Sequence, residues 1–265
     1  MHDEIDAEAL ADLAVSVAER AGALLLGVLG DERVAVETKS SGTDMVTEMD
    51  RAAERAIIDG IRAHRPHDAF LGEEGADEAG TSGVRWVIDP LDGTTNYLYR
   101  FPVWAVSVAA EVEGETVAGA VHDPLHRETF RAVKHGGALR NGVPLRVGGA
   151  SELATALVAT GFSYDPPTRR HQAAALAGII HQVRDVRRAG AAALDLCWVA
   201  SGRLDLYYES GLHAWDWAAA ALVATEAGAV VGDLDGGPPS RQFVMAAPPH
   251  LDEPFRALLR SDLRQ

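Results

Sequence analysis

Apolar residues recur through positions 5–29 at Leu10, Leu13, Val17, Ala21, Leu24 and Val28. Steps of three and four put them on one side of a helix, so an amphipathic helix is predicted here. A second such face, Ala53, Ile57 and Ile61, predicts a helix from about Thr47 to His64. The stretch between them, ETKSSGTD (37–44), keeps neither period, and its Ser, Gly and Thr content predicts a mobile loop. From residue 69 the period shortens. AFLGEE (69–74) and the run over 85–89 are apolar strands that stop at carboxylates. VWAVSVAAEV, ETVAGAVHDP and ETFRAVKHG follow as β-like runs, with turn signals at Glu113-Gly114, Asp123-Pro124 and Asn141-Gly142. A largely antiparallel sheet covered by the first two helices is expected.

After Ser151 the pattern changes. Strand-like ALVATGF (156–162), LDLYYE (204–209) and FVMAAP (242–247) alternate with helical stretches at 168–182, 190–201, 215–228 and 250–260. Such alternation predicts an α/β layered second half. The chain is expected to divide at 1–150 and 151–265, two halves of one compact unit. Its 265 residues, 47% of them hydrophobic, suffice for a large core.

Charge narrows the field of partners. Thirty-nine acidic residues face 24 basic ones, only two of them lysine, for a formal net charge of −15. No basic footprint for nucleic acid stands out, so none is expected as a partner. No apolar run nears the roughly 20 residues needed to cross a bilayer, and MHDEIDAEAL lacks the basic flank of a signal peptide. A lone cysteine, Cys197, fits core packing in a reducing cytoplasm.

Against that charge, the run WVIDPLDGTTN (86–96) sets two more carboxylates where a buried strand surfaces. Pro90 turns the chain sharply, and Gly93 lets another group approach the backbone. Asp89 and Asp92 then face one pocket, with the Leu91 carbonyl as a third oxygen suited to a hard divalent cation. Thr94-Thr95-Asn96 would open a helical turn whose N–H groups suit phosphate. The plainer alternative is a capped turn with solvated aspartates. Similar choices hold elsewhere: in Gly72-Glu73-Glu74 only one glutamate points inward, Asp216 in Trp215-Asp216-Trp217 is either a cap or a ligand, and Asp44 and Asp50 flank a helix start.

Taken together, GEE at 72–74, DPLDGTTN at 89–96, GAAALDLCWVASGRLDLYYE at 190–209, GLHAWD at 211–216 and TEAG at 225–228 resemble the inositol monophosphatase family. These are magnesium-dependent, lithium-sensitive phosphatases. The resemblance implies an αβαβα layered sandwich, commonly a homodimer. It implies that Glu73, Asp89 and the Leu91 carbonyl hold one magnesium ion, and that Asp89, Asp92 and Asp216 hold a second, two or three ions in all. Glu73 and Thr94 would orient the attacking water, with Asp50 accepting from the Thr94 hydroxyl. Gly93 and Thr94 would meet the phosphate, while Asp92, Ala192, Glu209 and Asp216 would contact a phosphorylated polyol. Lys39 matches a lysine of the family's loop.

Alternatives remain at this point: histidinol phosphate, fructose 1,6-bisphosphate or a 3′-phosphorylated nucleotide as substrate, or a regulatory protein without catalysis. The cluster Arg184, Arg187 and Arg188 is the feature that keeps nucleotides in view. His122 and His126 straddle a strand turn and are not expected to share a metal, and Trp215 and Trp217 are expected in the core. His213 packs or contacts substrate. No Walker or dinucleotide glycine pattern is present.

Overall fold

The computed structural model describes residues 5–29, 36–38 and 45–263. Lys39 and Asp44 lie outside them. Helix α1 (Ala7–Val28) starts at Asp6, whose side chain accepts from the N–H groups of Glu8 and Ala9. Strands β1 (Val36–Thr38) and β2 (Met45–Thr47) pair antiparallel, and α2 (Glu48–Arg62) follows directly. The expected face of α2 is right: Ala53, Ile57 and Ile61 are fully buried. The face of α1 is turned slightly from expectation, since Leu25 is buried and Leu24 is 40% exposed. Alanines 11, 14, 18 and 21 fill the rest of that stripe and let the helix lie close to its neighbours.

The next eight strands form one sheet in the order β10-β9-β8-β7-β6-β5-β3-β4. They are β3 (Ala69–Gly72), β4 (Asp77–Glu78), β5 (Val84–Asp92), β6 (Ala105–Val112), β7 (Glu115–Asp123), β8 (Glu128–Val133), β9 (Gly137–Arg140) and β10 (Val143–Pro144), with α3 (Thr94–Leu98) between β5 and β6. Pairing is antiparallel except for β3 with β5. At the turns, Glu113 and Gly114, then Asn141 and Gly142, take positive φ as two-residue hairpin loops require.

A second sheet has the order β12-β11-β13-β15-β14. Its strands are β11 (Leu157–Thr160), β12 (Asp185–Arg187), β13 (Leu206–Glu209), β14 (Val230–Gly232) and β15 (Val244–Ala247). Helices α4 (Pro166–Ile179), α5 (Ala192–Ala200), α6 (Ala214–Glu226) and α7 (Pro249–Leu263) alternate with them. The short strands β12 and β14 escape a reading by period, because three residues are too few to show one.

Side chains along each strand alternate between two cores, which establishes the layer order. Trp86 and Ile88 of β5, with Val106, Val108 and Ala110 of β6, pack with α1 and α2. Val87, Ala105 and Ala109 point the other way, onto α5 and α6. In the second sheet Tyr207, Val244 and Ala246 meet that same α5–α6 layer, while Leu206, Tyr208 and Met245 face Phe255 and Leu259 of α7. The fold is therefore an αβαβα sandwich. The larger sheet is covered on both faces, and not by the first two helices alone, because its strands are apolar on both sides.

Several polar side chains tie the two halves of the chain together. Asn96 on α3 donates from Nδ2 to the carbonyls of Val103 (2.7 Å) and Ala189 (2.9 Å), reaching from the first sheet to the loop before α5. Asp205 accepts the N–H groups of Ala150 and Leu157, both at 2.7 Å. Truncating Asn96 to alanine takes the donor from two part-buried carbonyls, and the expected cost is about 1–3 kcal/mol. Urea unfolding should show a lower midpoint at unchanged m-value; a midpoint equal to wild type contradicts the bridging role.

Candidate active site

Strand β5 does not end at Asp89 as its proline had implied. It continues to Asp92 through a register shift: Asp89 pairs with Ser107 and Asp92 with Ala105, three steps on β5 against two on β6. Residues three apart on a regular strand point to opposite faces. The extra residue is a β-bulge, and it turns both aspartates onto one cleft. Pro90 suits the bulge because it has no N–H to leave unpaired. Asp89 is steadied by the Leu91 N–H at 2.9 Å. Beyond it Gly93, at φ 91°, caps α3 and brings Thr94 back over the bulge. The Thr94 hydroxyl lies 3.0 Å from the Leu91 carbonyl and 3.4 Å from Asp50 Oδ2 on α2.

Three further elements deliver carboxylates to the same cleft, which also includes Glu73, Glu209 and Asp216. Glu73 follows β3, whose parallel partner is β5, so both strands end on one side of the sheet. Glu74 turns elsewhere, to Arg51. Asp216 stands in the first turn of α6, where its carboxylate accepts the His213 N–H at 2.6 Å. Asp92 accepts N–H groups from Ala192 (3.2 Å) and Ala193 (2.8 Å) at the start of α5. The Ala192 N–H is thereby committed to Asp92. Glu209 ends β13, accepts from the Tyr207 hydroxyl at 3.0 Å, and lies where a Cβ on Gly161 would collide with it. The cavity measures about 600 Å³, a small-molecule size.

Electrostatics in this cleft are unfavourable to the bare protein. Burial, then the charges of Glu73, Asp92, Asp216 and Asp50, holds the Asp89 carboxyl well above its usual range. Burial and Glu73 do the same to Asp216. Asp92 is pushed up to about 7 by burial, against the pull of the Ala193 N–H. Glu209 also rises to about 7 through burial, moderated by Tyr207 and by Arg188. Among the described residues lining the cleft, Arg188 and His213 are the only basic side chains.

That donor set fits a divalent cation of the hard kind. It is all oxygen, anionic, and includes a backbone carbonyl at Leu91. Among the described residues, no three acidic, histidine or cysteine side chains stand close enough to form a metal-holding cage by themselves. Magnesium sites seldom are such cages; they use one or two carboxylates per ion and leave the remaining positions to water and phosphate oxygens.

Other expectations sort cleanly. The arginine cluster divides: Arg184 caps the Thr155 carbonyl, Arg187 pairs with Asp185, and only Arg188 reaches the cleft. His122 is held by Thr129 and His126 by Asp123, each with its own partner. Trp215 and Trp217 are both half-buried and pack on the central core as expected; Trp215 also lines the cleft and stacks on His213 with centroids 4.6 Å apart. The wall formed by Phe162, Ser163, Tyr164 and Asp165 was missed. Its signal was present, since GFSYDP directly follows β11, and loops at strand ends commonly carry sites in layered α/β folds. Tyr164 reaches across to Thr95, hydroxyl to hydroxyl at 2.9 Å.

Fold and cleft together define a layered α/β protein with an acidic small-molecule site at the junction of its two main sheets. Its profile matches the inositol monophosphatase family over residues 6–263. The chain is 47% identical over 242 residues to the inositol-1-monophosphatase SuhB of Mycobacterium tuberculosis, covering 87% of this chain and 83% of that one. It is 40% identical over 228 residues to the Nus factor SuhB of Escherichia coli K12, covering 85% of each. The solved structure of extragenic suppressor protein SuhB from Bartonella henselae superposes with a TM-score of 0.90 at 35% identity, over 95% of this chain and 98% of the other. This chain belongs to the inositol monophosphatase family. Membership supports a metal-dependent phosphatase.

Raised carboxyl pKa values have a consequence for stability. The folded state holds protons that the unfolded chain has released, so without cations stability falls as pH rises from about 4 towards Asp92's value of about 7. His122, lowered by burial, acts in the opposite direction, so a difference between variants isolates the cleft. In chelator, Asp89→Asn should melt above wild type at pH 7.5, with the advantage shrinking towards pH 4. Equal melting temperatures across that range would contradict the crowding described here.

Proposed function

We propose that the protein hydrolyses a small phosphate monoester with the help of magnesium, and that inositol monophosphate, yielding myo-inositol and phosphate, is the substrate class. The observation that carries this is the set of carboxylates that four separate chain segments bring to one cavity: Glu73, Asp89 with Asp92, Asp216 and Glu209. Glu73, Asp89 and the Leu91 carbonyl would hold one ion; Asp89, Asp92 and Asp216 would hold another, within a total of two or three. Bound magnesium supplies charge neutralisation and a more acidic water.

The chain's own groups place and deprotonate the reactants. The Thr94 hydroxyl has two acceptors within reach, so it can give its proton to Asp50 while accepting one from the attacking water. Glu73 orients that water from the other side. Gly93 and Thr94 turn their N–H groups to the phosphate oxygens. Water oxygen bonds to phosphorus, the ester P–O bond breaks, and the polyol oxygen leaves with a proton. Glu209, with Asp92, Asp216 and the Ala192 backbone, meets the polyol hydroxyls. Such placement in a water-poor site accounts for most of the rate gain. A homodimer belongs to the same proposal, and the exposed Tyr99, Phe101 and Val143 supply apolar surface for it.

A non-catalytic regulatory role has one observation in its favour, the relatives named Nus factor. Phosphate release with and without magnesium separates the two. Expected is magnesium-dependent turnover, inhibited by lithium, fastest on inositol 1-phosphate among that ester, histidinol phosphate, fructose 1,6-bisphosphate and a 3′-phosphoadenosine compound. Asp89→Asn and Glu73→Gln should each cost about a hundredfold or more in kcat while leaving the fold intact. Absence of turnover in wild type with every ester favours the regulatory role.

Glu209→Gln tests the polyol contact. It should raise KM for inositol 1-phosphate several-fold while leaving an aromatic phosphate, which offers no ring hydroxyls, nearly unaffected. Equal losses on both substrates remove Glu209 from specificity.

A further inference from the structure

Glu54 lies one helical turn beyond Asp50 on α2, so the two side chains share a face. Asp50 looks to Thr94. Glu54 instead reaches the turn that carries Glu73. Its carboxylate, 6% exposed, accepts the Glu74 N–H at 2.9 Å and the Ala76 N–H at 3.3 Å. The same turn is closed by the Gly72 N–H on the Ala76 carbonyl at 2.7 Å, and the Glu73 N–H donates to Ile88 of β5 at 3.2 Å. Glu73 is thus clamped from both sides: by the sheet through its own amide, and by Glu54 through the amides that follow.

Two local features accommodate this clamp. A Cβ on Gly72 would collide with the Glu54 carboxylate, so glycine is what permits the close approach. Arg51, also on α2, pairs with the buried Glu74 side chain at 3.6 Å and keeps that neighbouring carboxylate turned out of the cleft. A buried carboxylate that accepts two backbone N–H groups makes strong, charge-assisted bonds, and these are costly to lose. Glu54 is absent from the residues lining the cavity.

We propose that Glu54 is a positioning residue: it fixes the Glu73 turn and thereby sets the affinity of the cleft for its divalent cation. This rests on the function proposed above. Glu54 touches neither substrate nor cation, and its effect passes through Glu73 alone.

The test is manganese binding to the full chain, followed by electron paramagnetic resonance and calorimetry, for wild type, Asp89→Asn, Glu54→Ala, Glu54→Gln and Gly72→Ala. Outer groups that orient metal ligands typically govern about 10–100-fold in affinity. Glu54→Ala should weaken binding by that factor, with kcat at saturating cation and KM for the ester little changed. Glu54→Gln keeps an oxygen for the Glu74 N–H but loses the acceptor for the Ala76 N–H, and should recover part of the affinity. Gly72→Ala, by displacing the carboxylate, should reproduce the loss even where Glu54→Ala fails to fold.

Wild-type affinity in Glu54→Ala overturns the proposal, as does a Glu54→Gln variant no better than alanine, since charge and not placement would then be at work. Should wild type bind no more tightly than Asp89→Asn, the cation site itself fails, a result distinct from either of these.

Discussion

The structure depends on bringing mutually repelling carboxylates into one buried place. Left to solvent, Asp89, Asp92 and Asp216 would ionise at ordinary acid pH and move apart. Here burial and mutual charge push each of them up. What holds them is backbone. The bulge in β5 aims Asp89 and Asp92 at one side, amides at the start of α5 grip Asp92, and the His213 amide grips Asp216. Each of these N–H groups is an orphan donor at a helix end or turn that needs an acceptor anyway. The site therefore draws its rigidity from groups that the fold would have to satisfy in some other way.

Layering explains why the parts meet. Strands β3 and β5 run parallel and deliver Glu73 and the 89/92 pair to one end of the first sheet. Helices α5 and α6 are sandwiched between the two sheets and present their N-terminal turns at that same end. Strand β13 brings Glu209 from the second sheet. No element could shift by a residue without losing its contribution, because a one-residue slip in a strand reverses every side chain. Asn96, inside the motif run itself, links this end of the first sheet to the loop before α5. With Asp92 on the α5 amides and Thr95 on Tyr164, that amide couples the motif to the second half of the chain.

Much of this was legible in the sequence, for identifiable reasons. Long elements with a clear period, such as α2 with Ala53, Ile57 and Ile61, declared themselves, as did the Glu113-Gly114 and Asn141-Gly142 turns. The gathering of Glu73, Asp89, Asp92 and Asp216 followed from resemblance, since no local period links residues more than a hundred positions apart. The bulge was illegible: Pro90 is compatible with a strand exit and with a kink inside a strand, and only pairing with β6 decides between them. The second covering of the large sheet was missed because alanine-rich runs such as AVSVAA are apolar on both faces and hide their alternation. The second side of Trp215, at the cleft, was missed for a related reason. A bulky aromatic in the first turn of a buried helix has one side in the core and one at the cleft, and hydrophobicity cannot divide them.

The cluster also exposes a conflict between stability and use. A cleft lined by carboxylates with one arginine at its edge is poorly compensated, and each carboxyl that must shed its proton works against folding. Replacing these groups by amides would relieve the strain and remove the donors in one stroke. The chain retains them and invests instead in what surrounds them: a helix α2 whose Asp50 and Glu54 back two different parts of the site, an arginine that draws Glu74 away, and a glycine that admits Glu54 to the backbone. Such supports would have little purpose around solvated surface acids. Their presence, more than the count of carboxylates, is the physical reason to regard the cleft as a place built to receive positive charge.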